Sequence, residues 1–321
     1  MNKLTLITFL LFVITSCQVQ EEPEETPVDS PWTRKSDMFS ARSNASCSVV
    51  GDKIYVIGGF FTSINNTYSS KLSMVEIYDP KEDSWTTGTP MSIARSTHGY
   101  AVVGTKIYVF GGTQGEGRGK TVEVYETTTD TWTRLNDMAV SRIGLRAEAI
   151  GNRIFLMGGH EFTFPNKTEE YSIDSDSLTS RSNMNVERVV FSSSVIDGKI
   201  YVIGSRRFSE PDVEVYDPVA DSWTIITAPP VRLFSVATAS LNGLLYSFGG
   251  IDLSRPNNNV LSYNPTTNKW KIRTGMPVKQ NSMCAVSFKG KVYVIGGDNN
   301  IYGEYFSTVY EYDPSKEKLT D

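Results

Sequence analysis

Histidine is nearly absent from this chain, with two in 321 residues, and only three cysteines accompany them. A metal site needs three or four such ligands gathered in one place, so metal chemistry is set aside and no cofactor is expected. Basic clusters are missing too. No run of five Lys or Arg occurs and the formal net charge is −5, which removes the electrostatic footprint of a nucleic-acid binder. One long apolar run exists, Leu4–Ile14, and it is too short to cross a bilayer as a helix. The whole chain is 39% hydrophobic and 21% charged, a composition neither disordered nor membrane-spanning. The length alone would admit two domains, but a single large all-β ring can use all of it.

The first residues read as a targeting segment. Lys3 precedes the apolar run, and Ile14-Thr15-Ser16-Cys17 follows it. This ending resembles a bacterial lipobox, which implies acylation of Cys17 after cleavage; an ordinary secretory signal is the alternative. Residues 18–31 hold four Glu, one Asp, three Pro and no basic residue, a segment that extends rather than packs. An acidic run after a lipidated cysteine resembles the surface-export signal of some bacterial lipoproteins. The expected organisation is a signal peptide at 1–16, a lipidated tether at 17–31 and a folded domain at 32–321. Its place would be the cell envelope, on the outer membrane and facing either the periplasm or the surface.

Everything after the tether is one unit written six times. Gly58-Gly59, Gly111-Gly112, Gly158-Gly159, Gly204-Ser205, Gly249-Gly250 and Gly296-Gly297 mark the copies. Trp32, Trp85, Trp132, Leu178, Trp223, Trp270 and Leu319 keep the same beat. A period near 47 residues built of strands signals propeller blades. A continuous apolar strand precedes each Gly pair, such as Ile54–Ile57 or Ile200–Ile203, as expected for strands covered on both faces. Asp197-Gly198 and Asn242-Gly243 are hairpin turns leading into such strands. An alternating strand follows, such as Val75–Asp79 or Val213–Asp217, with Asp-Pro ending it at Asp79 and Asp313 because proline cannot donate to a ladder. A Trp-led strand closes the unit, giving four antiparallel strands per copy.

The Gly pair, a tyrosine shortly ahead of the fourth-strand Trp and the Trp itself resemble the Kelch repeat, from Trp32 to the C-terminus. The resemblance implies an all-β, six-bladed propeller. Residues 32–38 (WTRKSDM) nearly copy residues 132–138 (WTRLNDM), a fourth strand, yet no first, second or third strand precedes them. That segment is therefore expected to complete the sixth blade and close the ring; a truncated seventh blade beginning at Lys318 is the alternative.

Kelch domains commonly bind partners on the face where the loop into the first strand and the loop after the second emerge. An Arg recurs at the start of the first strand: Arg42, Arg95, Arg142, Arg188 and Arg232, with Gln280 in the sixth copy. The resemblance places these at the channel mouth, where guanidinium groups could pair with carboxylates of an acidic peptide, protein or glycan. Each could instead bond carbonyls of its adjoining loop. His98 and His160 are expected near the same face. Cys47 and Cys284 sit in the first strands of copies one and six with opposite strand parity. That parity aims them at one inter-blade gap, either as a disulfide or as two apolar core residues. The resulting expectation is a monomeric, non-catalytic binding propeller that meets the membrane only through its lipid. The alternative is a mutarotase like the six-bladed Kelch N-acetylneuraminate epimerase, with Arg206, Arg207 and Glu210 as the residue types in question.

Overall fold

The computed structural model describes residues 30–62, 69–114, 119–160, 166–204, 213–252, 255–299 and 303–317. The targeting segment, Cys17, Arg206, Arg207, Glu210 and residues 318–321 lie outside them. Six sheets of four antiparallel strands form the six expected blades. Blade I runs Ser46–Val50, Lys53–Ile57, Val75–Asp79 and Ser84–Gly88 in spatial order. The first strands of the next five are Gly99–Val103, Ile143–Ile150, Ser192–Ile196, Ala237–Leu241 and Cys284–Phe288. These first strands touch one another in turn around the ring and line the central channel.

Period-2 alternation sends successive side chains to opposite faces of a blade, and each face meets a neighbour. Six apolar clusters result, one per seam between blades. Tyr55, Ile57, Met91 and Val109 join blades I and II, while Phe155, Met157, Ile200 and Tyr216 join III and IV. Second strands read as unbroken apolar runs because both their faces lie in such clusters.

The ring closes as the repeat pattern predicts. Trp32–Lys35 pairs antiparallel with Val309–Tyr312, Trp32 opposite Tyr312, and becomes the outer strand of blade VI. Trp32 is buried and its ring centroid stands 4.8 Å from that of Tyr312. Its indole Nε1 donates to the Thr274 carbonyl of blade V at 3.3 Å.

Fourth-strand tryptophans repeat that bond. Trp85 donates to Ser36, Trp132 to Thr89, Trp223 to Ser182 and Trp270 to Thr227, each onto the preceding blade. A tyrosine and a turn residue complete the staple. Tyr78, Tyr171, Tyr216 and Tyr263 donate to Asp83, Asp176, Asp221 and Asn268. These acceptors sit at φ between 46° and 53°, a left-handed conformation that Asp and Asn tolerate better than most residues. Asp83 and Asp221 also accept from the backbone N–H of Ser36 and Ser182 on the blade before.

Candidate functional site

Four of the five recurrent arginines lie inside the blades, which corrects the expectation of a charged channel mouth. Arg42, Arg95, Arg142 and Arg188 are at most 5% exposed. Each lies 16 residues ahead of a first glycine whose carbonyl it bonds. Arg42 Nη1 donates to Gly58 at 3.1 Å, Arg95 Nη1 to Gly111 at 3.0 Å, Arg142 Nε to Gly158 at 2.8 Å and Arg188 Nη1 to Gly204 at 2.5 Å. The charge is met by a third-strand glutamate of the same blade. Arg42 pairs with Glu76 and Arg95 with Glu123. Arg142 lies 2.9 Å from Glu169 and Arg188 lies 3.9 Å from Glu214. Burial pulls Arg142 down to about 10, against the raising effect of Glu169.

The same residues stitch blade to blade through their backbones. The carbonyls of Arg42, Arg95, Arg142 and Arg188 accept from the second glycine of the blade before, Gly297, Gly59, Gly112 and Gly159, at 2.8–3.0 Å. Close approach explains the glycines. A Cβ on Gly58 would lie 2.6 Å from the Arg95 carbonyl oxygen, and Gly59 sits at φ 109°, where other residues are strained.

Blades V and VI lack the ion pair, and they lack both halves together. Blade V has Leu233 in the Arg position and Leu261 in the Glu position, packed in one apolar cluster. Blade VI has buried Gln280 and Tyr310 there. Arg232 is one residue out of register and exposed. The sequence signal for this existed: wherever Arg is lost from the repeat, Glu is lost with it.

His98 is also enclosed, 2% exposed. Its Nε2 is 3.0 Å from Ser46 Oγ across the seam of blades I and II, and burial drives its pKa down to about 3. It is a neutral structural residue and not a ligand contact. His160 pairs through its backbone with Ile143 at the end of a second strand. Cys47 and Cys284 are buried free thiols and neighbours across the closing seam of blades VI and I. Burial, then the neighbouring Cys284 thiol, raises the Cys47 thiol well above its usual value. The opposite parity of the two positions did aim them at one gap.

At the loop face the channel is narrowed by a collar that the sequence did not suggest. Asn44, Thr97, Gly144, Val190, Ser235 and Ser282 occupy equivalent positions and all have φ between 52° and 68°. Asn44 N–H donates to Ser282 C=O, Thr97 to Asn44, Gly144 to Thr97, Val190 to Gly144 and Ser282 to Ser235, at 2.8–3.1 Å. Beneath it the free space is about 20 Å³, whereas further down the channel a cavity of about 320 Å³ opens.

The loop face carries aromatic side chains at the VI/I seam. Phe60 and Phe61 begin a short hairpin, Phe60–Thr62 with Ser69–Lys71. Their rings stand 6.0 and 5.7 Å from that of Tyr305, whose hydroxyl lies 3.3 Å from Thr62 Oγ1. All three are partly exposed, and Phe39, in the loop entering blade I, is 62% exposed.

Six four-stranded blades, joined by Arg–Gly stitches and Trp–Tyr staples and closed by the N-terminal strand, define a β-propeller scaffold with one aromatic loop face. The family model described as the KLHDC2/KLHL20/DRC7 Kelch-repeats domain matches residues 28–205, and the Kelch motif matches 188–230, 232–277 and 281–318. The chain belongs to the Kelch-repeat family. It is 36% identical over 106 residues to Kelch-like protein 7 of Rattus norvegicus, covering 33% of this chain and 16% of that protein. Kelch-like protein 15 of Danio rerio is 35% identical over 95 residues, 29% of this chain and 16% of that protein. Beta-scruin of Limulus polyphemus is 45% identical over 84 residues, 25% of this chain and 8% of that protein. The matches thus span no more than about a sixth of these relatives' own length.

Proposed function

We propose that this propeller is a non-catalytic protein-binding module that engages its partner on the loop face at the VI/I seam. The observation that carries this is the partly exposed cluster of Phe60, Phe61 and Tyr305. Aromatic side chains combine large apolar area with few rotors, and they dominate the energetics of protein interfaces. The charge-based case for an acidic ligand weakens because the guanidinium groups meant to hold it are closed against glutamates. The expected partner is therefore a protein segment with apolar anchors. The mutarotase reading gains no support from the geometry.

The setting we propose is the cell envelope, with Cys17 lipidated and the acidic tether holding the ring away from the membrane. Metabolic labelling with a fatty-acid analogue should tag the wild type and leave Cys17→Ala unlabelled. For the binding face, quantitative pull-down compares Phe61→Ser/Tyr305→Ser with Val219→Ser/Ile272→Ser, which alters exposed apolar residues elsewhere. Partners retained by the wild type and the control pair should be lost from the first pair at unchanged melting temperature. Equal retention by both pairs refutes the proposed face.

A further inference from the structure

Charges taken out of water inside a protein are ordinarily closed against each other, because an unpaired buried charge is costly. The Arg–Glu pairs of blades I to IV obey this. Arg146 and Glu148, both only partly buried, are not closed against each other. They stand two residues apart on the innermost strand of blade III, Ile143–Ile150, hence on the same side of it. The innermost strands of the other five blades contain no charged residue at all. Arg146 Nε donates to the Phe191 carbonyl at 2.6 Å, and Glu148 Oε1 accepts from Ser193 Oγ at 2.7 Å. No ion pair within 4 Å joins the two among the described residues.

Both residues border free space. Arg146 lines the narrow pocket beneath the collar, and Glu148 lines the larger cavity of about 320 Å³. Hydroxyl side chains make up much of the remaining polar wall, including Ser48, Ser194, Thr238 and Ser287. Ser48 Oγ is buried without a hydrogen-bond partner. An unclosed cation and an unclosed anion one strand step apart, with the unpartnered Ser48 hydroxyl on the same channel wall, form a receptor for a molecule that carries both charges.

We infer that the channel binds a small zwitterion of the α-amino-acid class, its carboxylate on Arg146 and its ammonium on Glu148. The collar constricts the loop-face end, so the ligand enters from the opposite face and this site works independently of the aromatic loop patch. Burial pushes Glu148 up to about 7, against the lowering effects of Ser193 and Arg146. The other titratable groups near the pair are Tyr100 and His98 on blade II, Cys47 on blade I and Cys284 on blade VI. An ammonium needs the ionised carboxylate, so affinity rises between pH 6 and 8.

Isothermal titration calorimetry on the full chain tests this with the common α-amino acids, alongside ethylamine and propionate as half-ligands. At least one amino acid should bind while both half-ligands fail. Arg146→Gln and Glu148→Gln should each weaken that binding at least about tenfold, and Arg146→Lys and Glu148→Asp should retain part of it. If no amino acid binds, or if binding survives both Gln substitutions, the inference is wrong. A purely structural pair would behave differently: each Gln variant would melt early, the double variant would recover, and no ligand heat would be seen. That result also overturns it.

Discussion

Arg95 shows how far a residue's role depends on its partners. Its guanidinium bonds Gly111 and Thr121 carbonyls and Glu123, so Arg95→Leu strands a buried carboxylate. Urea denaturation should show a loss of about 3–5 kcal/mol. Adding Glu123→Leu should restore most of it, because blade V already uses Leu233 with Leu261. The recurrence of Arg was legible in the sequence. Its burial was not, because the partner glutamate lies in the third strand, some 26–34 residues away, and only joint loss across copies reveals the pairing. Buried titratable groups also set the acid response. His98, lowered to about 3, contributes stability above the ordinary histidine value that is lost as pH falls below about 6.5, at up to about 1.4 kcal/mol per pH unit. Glu148, raised to about 7, has the opposite sign: its folded form takes up the proton first, so it favours folding as pH falls from 7 towards the usual carboxylate range. Glu148→Gln should therefore steepen the loss of melting temperature between pH 7 and 5, and an NMR titration should find the His98 ring neutral at pH 5.

Among elements, strands were the most legible and the collar the least. Gly pairs, Asp-Gly turns and alternating runs report local backbone demands, and each appears at its expected place in a blade. The collar is made by one left-handed residue per blade, filled by Asn, Thr, Gly, Val and Ser, so no residue type advertises it. Its demand is positional. Val190 is a β-branched residue at φ 56°, a conformation that costs L-residues roughly 1–2 kcal/mol. Asn, used at the equivalent Asn44, tolerates it better. Val190→Asn should accordingly raise the unfolding midpoint by about 1 kcal/mol in free energy, measured by denaturant titration with the slope unchanged.

For the whole molecule, closure is the decisive contact. Residues 32–38 betrayed it because a fourth strand without a blade has nowhere else to go, and the register of Trp32 on Tyr312 is the outcome. Trp32→Ala should destabilise by about 3–5 kcal/mol, and removing residues 30–38 should bare the edge of Val309–Tyr312 and promote association, visible by size-exclusion chromatography. The same contact orders events in time. A chain made from its N-terminus presents Trp32–Lys35 among the first folded-domain residues, yet the strand it pairs with is among the last. While blades I to V assemble as they emerge, that first segment has no blade to join, and its tryptophan stays in water. The ring therefore matures in one late step that waits until Val309–Tyr312 has been made, and a ribosome-bound chain stalled before Val309 should be protease-sensitive at residues 30–38 while its finished blades are not.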